Sequence, residues 1–171
     1  MTPRAIAIVL VLSCTLGPIQ VGAQSTLERS KRDEIVRMPD DDPAMAKAFA
    51  KARATLDQFL LIAKTPPPNT RAFAVKVAIS DSRETEYFWI LPFVEDGDHY
   101  KGKINNTPRL VSHVAFGQDI RFKKSEIVDW MYVDAAKRRM YGNFTACALM
   151  TKDKPEDAEK ARRAYGLECD L

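Results

Sequence analysis

Residues 42–64 read DPAMAKAFAKARATLDQFLLIAK, and their apolar positions decide the fold class. Met45, Phe49, Ala52, Leu56, Phe59 and Ala63 recur at intervals of 4, 3, 4, 3 and 4, with Leu60 widening the stripe. That spacing lines one face of a helix. Lys47, Lys51, Arg53 and Asp57 fall mostly on the other side. Asp42 is a natural N-cap and Pro43 a natural first helical residue. The acids of Asp40-Asp41-Asp42 stand at the positive end of the helix dipole, and they lack the spaced ligands and glycine of a calcium loop. The prolines of Thr65-Pro66-Pro67-Pro68-Asn69-Thr70 then stop the helix. With Phe49, Leu56 and Phe59 as anchors, it should lie on a sheet.

The sheet is legible downstream. Phe73, Val75, Val77 and Ile79 alternate with Ala72, Ala74, Lys76 and Ala78, a period of two. After the turn Asp81-Ser82-Arg83, Glu86–Val94 carries bulky residues on both faces and reads as a central strand covered on both sides. Glu95-Asp96-Gly97-Asp98 signals a hairpin turn, and His99–Asn106 returns through Tyr100, Gly102 and Ile104. A strand follows around Ile120 and Phe122, then further strands over Ile127–Val133 and Tyr141–Leu149. Pro155–Tyr165, begun near Asp153 and stopped by Gly166, is a second helix. The pattern predicts an α+β domain: an N-terminal helix packed on an antiparallel sheet or partly closed small barrel, with a short C-terminal helix.

Three segments precede or make up that domain. Residues 1–23 have a positive start at Arg4, an apolar run Ala5–Leu16, a Gly17-Pro18 break and the small residues of Val21-Gly22-Ala23. This is the pattern of a cleaved secretory signal peptide, and a run of this length falls short of the roughly 20 residues a spanning helix needs. The competing reading is a lipid anchor at Cys14, after Val11-Leu12-Ser13. Residues 24–41, with few apolar anchors, predict a mobile leader or an added short helix, and 42–171 the single domain. Export makes the expected location periplasmic if the source has two membranes. Cleavage removes one basic residue, Arg4, and no acid, taking the net charge from +3 to +2. So balanced a surface argues against nucleic acid. Cys147 and Cys169 remain, a candidate disulfide in an oxidising compartment; the alternative is two separate thiols.

Motifs for chemistry are sparse. His99 and His113 are the only histidines, no serine sits in a Gly-x-Ser-x-Gly elbow, and no Cys-x-x-Cys occurs. No metal or cofactor is expected. The least ordinary stretch is Ser125–Tyr132, where Asp129 interrupts a hydrophobic strand. A buried acid needs a hydrogen-bonding or charged partner, so Asp129 is either a structural carboxylate or a functional acid lining a cleft. Asn106 and Arg109, at the turn Asn105–Arg109, and the aromatics Trp130 and Tyr132 complete the candidate binding residues. Trp89 and Trp130 are candidates for a sugar or peptide platform, although buried packing is the commoner role. Lys123-Lys124 and Lys137-Arg138-Arg139 are basic patches for which a solvated loop is the default.

Several segments resemble a bacterial family, the YegJ-like proteins of domain of unknown function 2314. They are Asp42–Met45, Phe73–Val77, Glu86–Trp89, Gly102–Pro108, Gly117–Phe122, Ile127–Tyr132 and Gly142–Thr145. The loop Asp134–Arg139 departs from the family pattern, which often has glycine there. The resemblance implies a bacterial source and a small sheet-rich domain, and it carries no catalytic residues. The expectation is an exported, non-enzymatic binding or interaction module of inhibitor or immunity type, with an unknown protein or envelope component as partner. The alternative is a hydrolase-type enzyme using Asp129 with Asn106 and Arg109.

Overall fold

A computed structural model of the chain describes residues 25–31, 39 and 41–170. The expected signal peptide at 1–23, the lipid-anchor reading at Cys14 and most of the leader lie outside the described residues. What is described of the leader is a helix, α1 (Thr26–Lys31). Its Thr26 amide donates to the Asp153 carboxylate at 2.9 and 3.0 Å, which ties it to the C-terminal end of the chain.

The helix of residues 43–64 forms as expected. In α2 (Pro43–Lys64) Asp42 accepts the Ala44 amide at 2.9 Å, and Met45, Ala48, Ala52, Leu56 and Phe59 are buried. Beneath it lies one open antiparallel sheet. Its strands are β1 (Thr70–Ser80), β2 (Thr85–Asp96), β3 (His99–Ile104), β4 (Asp119–Phe122), β5 (Ile127–Asp134) and β6 (Arg139–Gly142), in the order β4-β3-β2-β1-β5-β6. The sheet does not close into a barrel. Alternation sorts its two faces: Val75, Val77, Phe88, Ile90, Ile104, Ile127 and Trp130 join α2 in the core.

The second face is barer than the sequence suggests. In β2, Glu86, Phe88 and Ile90 are buried while Tyr87, Trp89 and Leu91 are half-buried. The expected cover on both sides of this strand is therefore corrected to one helical layer. Of the residues on the other parity, Trp89 is covered by Lys76 from β1, and Tyr87 meets Phe49 of α2 with ring centres 5.8 Å apart.

A second correction falls after β6. The expected strand Tyr141–Leu149 splits into β6 and a helix, α3 (Phe144–Met150). Gly142 lies at φ +75° and Asn143 at φ 54°, so the extended chain cannot continue through them. A Cβ at Gly142 would meet the Trp130 carbonyl oxygen at 2.1 Å, so only glycine fits there. Phe144 and Ala148 then join the core with α2, and Cys147 is buried beside them on the helix. The helix α4 (Pro155–Tyr165) ends at Gly166 as expected, with Lys154 rather than Asp153 as its N-cap.

Cys147 and Cys169 are bridged, 22 positions apart in sequence. Cys147 thus sits on a helix, not on the strand expected from its neighbours. The bridge holds the C-terminal tail beside β6, where Met140 pairs with Leu167 and its amide donates to the Gly166 carbonyl at 2.9 Å. Ion pairs of Glu168 with Arg139 and of Asp170 with Lys51 add to the same seam. For a closed loop of this size, reducing the bridge should lower stability by about 3 kcal/mol. Urea unfolding with and without a dithiol reductant measures it, and coincident curves would refute it.

Ala72 occupies the left-handed region at φ 55°, where β1 slips by one residue against β5 between Arg71 and Ala74. This conformation costs an L-residue about 1–2 kcal/mol, more than the 0.5–1 kcal/mol that glycine's freedom takes from a folded chain. Ala72→Gly should therefore raise stability by about 0.5–1 kcal/mol, and a drop in the urea midpoint would contradict it.

Candidate functional site

Asp129 is the centre of the most polar part of the interior. It is 0% exposed. One carboxylate oxygen accepts the amides of Trp130 at 2.9 Å and Phe144 at 3.3 Å. The other accepts the amide and the hydroxyl of Thr145 at 2.9 and 2.7 Å. Phe144 and Thr145 open α3, and Asn143 supplies no side-chain cap. A carboxylate from a neighbouring strand therefore does what a local cap residue ordinarily does.

The chain of donors continues to Lys76, which faces Asp129 in the β1–β5 register. Its ammonium donates to Thr145 Oγ1 at 2.5 Å and lies 4.4 Å from the centre of the Trp89 ring. The Thr145 hydroxyl thus accepts from Lys76 and donates to Asp129. Burial pushes the Asp129 carboxyl above its ordinary value, opposed by the Lys76 charge and the Thr145 hydrogen bonds. Burial likewise pulls Lys76 down, opposed by the Asp129 charge.

Trp130 and Tyr132 share the same strand but point to the α2 side. The Trp130 indole stacks on Phe59 with ring centres 4.8 Å apart, and its N–H donates to the Ala52 carbonyl and Thr55 hydroxyl at 3.2 Å each. Tyr132 stacks between Phe73 at 5.1 Å and Tyr141 at 4.9 Å. Asn106 lies beyond the end of β3. Its side-chain oxygen accepts the Trp89 amide at 2.8 Å and its amide donates to the Tyr87 carbonyl at 3.4 Å. The Arg109 amide donates to Glu86 on the same strand. Of the five candidate residues, three therefore lie on β5 and two serve β2, with β1 between them. Asp129 and its two aromatic neighbours also divide between the two faces.

Glu86 is the residue that motif reasoning missed. It is 6% exposed, and its carboxylate accepts the amides of Arg109, Leu110 and Val111 at 2.8–3.2 Å. The signal was its parity: Glu86 alternates in phase with Phe88 and Ile90, so it must enter the interior with them.

A concave feature of the described surface lies elsewhere. Arg53, Leu56 and Asp57 of α2, Asp98 of the β2–β3 turn, and Lys123, Lys124 and Ser125 line an open groove of about 560 Å³. Lys124 pairs with Asp57, and Asp98 pairs with His99 at 2.5 Å. Among the described residues no three His, Cys, Asp or Glu side chains converge as a metal site, and no helix is long and apolar enough to cross a membrane.

A helix-backed open sheet, with a carboxylate that caps a helix from a neighbouring strand, defines a small α+β domain with no exposed acid at its centre. The model of the family described as an uncharacterized protein conserved in bacteria, DUF2314, matches residues 42–169, and the chain belongs to that family. It is 34% identical over 130 residues to the uncharacterized protein YegJ of Escherichia coli (strain K12), covering 76% of this chain and 82% of that protein. No solved structure matches it.

Proposed function

We propose that the chain is an exported, non-enzymatic binding module of the bacterial envelope, of inhibitor or immunity type. The observation that supports this is the enclosure of Asp129. The hydrolase reading needs this acid at a surface beside Asn106 and Arg109. Here both oxygens are engaged by the start of α3, and the two proposed helpers stand on the far side of β1. A general acid or base must reach its substrate's proton directly or through one water. The apolar run and small residues of 1–23 support export.

The test uses the full chain expressed in its bacterium. Mass analysis of the mature protein should find Gln24 as its N-terminus, and a diacylated Cys14 or an intact Met1 would contradict the export reading. Immobilised mature protein should then retain one component of a periplasmic extract, displaced by free protein. Turnover of an ester, peptide or glycoside library by the wild-type chain would overturn the non-enzymatic reading.

A further inference from the structure

We propose that a second copy of this chain docks on the outer edge of β4, the two strands running antiparallel about a two-fold axis at Ile120. The inference goes beyond the binding-module reading and does not depend on it.

The parity of β4 says which of its groups face outward. In the β3–β4 register Tyr100 stands opposite Phe122, Gly102 opposite Ile120 and Lys103 opposite Asp119. The Ile104 amide donates to the Gln118 carbonyl at 3.0 Å, the next step of the same ladder. Hydrogen-bonded pairs alternate along antiparallel strands, so residues 118, 120 and 122 bond inward to β3. The amides and carbonyls of Asp119 and Arg121 therefore point away from the sheet, on the side where no described strand pairs with β4. Proline and bulges are devices that keep an edge from pairing. The strand holds no proline, and its register carries no shift.

Charge selects the register. A pairing kept within β4 sets the axis at residue 119, 120 or 121. At 119 it puts Asp119 against its own copy, and at 121 it puts Arg121 against its own. Like charges directly opposite are destabilising. With the axis at Ile120, Asp119 of each copy stands opposite Arg121 of the other. Both outward residues then satisfy their amides and carbonyls, and the two Ile120 side chains meet across the axis on the α2 side. The exposed part of Ile120, half-buried in the single chain, is covered by this contact.

Both charged groups have valence to spare. Asp119 binds Lys103 through Oδ2 alone, at 2.8 Å, and Arg121 reaches Asp96 through Nε at 3.2 Å. Their side chains are 74% and 62% exposed. Oδ1 of Asp119 and the terminal guanidinium nitrogens of Arg121 have no hydrogen-bond or ion-pair partner among the described residues. Lys101 also pairs with Asp96, and Asp98 lies near enough to Arg121 to be stabilised by its charge. Lys101, Lys103 and Arg121 thus balance Asp96, Asp98 and Asp119, so two such edges approach without net repulsion. A four-residue strand makes a small interface, and the pairing is reversible, with a dissociation constant of about 10–100 µM.

The test is sedimentation equilibrium of the chain purified from its own bacterium, from about 1 µM to about 1 mM, where monomer should convert to dimer. Asp119→Arg sets arginine against the other copy's Arg121, and Arg121→Asp sets aspartate against its Asp119. Each should weaken pairing at least about 10-fold, with little change in melting temperature because the intrachain pairs lost are exposed. Mixed in equal amounts, the two variants should associate as tightly as wild type, since each edge again meets its opposite. In wild type the amide hydrogens of Asp119 and Arg121 should exchange more slowly at high than at low concentration. Variants that stay apart when mixed would overturn the register and the proposal with it. A dimer that survives both single substitutions would place the contact elsewhere and overturn the proposal. So would a wild-type chain that is monomeric throughout, which would leave the edge to a strand of a different protein.

Discussion

Asp129→Ala should cost the domain about 3–5 kcal/mol, because each buried donor left without its acceptor costs about 1–3 kcal/mol. The truncation strands the amides of Trp130, Phe144 and Thr145 and the Thr145 hydroxyl together. It also leaves the Lys76 ammonium without the charge that opposes its desolvation. Asp129→Asn keeps the shape and one acceptor oxygen, but turns an amide group toward donors on its other side, so its loss should be smaller. Urea unfolding of both variants measures the pair, and an alanine variant within about 1 kcal/mol of wild type would show that the carboxylate is dispensable.

The pH dependence has a definite sign. Burial raises Asp129 above its ordinary value of 3.8, so the folded chain holds this proton more tightly than the unfolded chain does. Its contribution is fully present below that value and declines as pH rises toward the folded value. Wild type should lose stability relative to Asp129→Asn across that interval. A difference that widens in wild type's favour would reverse the assignment.

Phe59→Ala should be the other large loss, about 3–5 kcal/mol. Its ring is 1% exposed and stacks on Trp130, with Phe73, Phe93 and Tyr132 at 6.1–6.4 Å. These four rings come from three strands, β1, β2 and β5, and α2 supplies the one that joins them. A void there cannot be refilled by rigid strands, so relaxation should be slight. The weakened stacking should also change the near-ultraviolet circular dichroism of Trp130. A loss below about 2 kcal/mol would mean that α2 moves in to close the gap.

How far each part was legible depends on whether its partners were local. The stripe Met45–Phe59 and the alternation Phe73–Ile79 announce themselves, because helix and strand periods are written within a few residues. The helix α3 was misread because Tyr141, Asn143 and Thr145 mimic alternation. What starts the helix is Asp129, 15 positions before Phe144. The need for a partner at Asp129 was legible, and the identity of that partner was not. Likewise Asn106 and Arg109 are legible as turn residues, while the group that organises their loop, Glu86, lies 23 positions before Arg109. Periodicity carries burial, and only the fold says which buried polar groups meet.

The two rims of the sheet differ in kind. At β6 the tail from Gly166 to Asp170 already occupies the outer side, bonded and covalently fastened. At β4 four residues end the sheet, with Asp119 and Arg121 among them held in ion pairs to Lys103 and Asp96. Growth by adding strands needs two open rims on every copy, one to receive and one to offer. This chain has one. Two copies joined at β4 would leave no described rim for a third to join, so pairing through these rims ends at two copies.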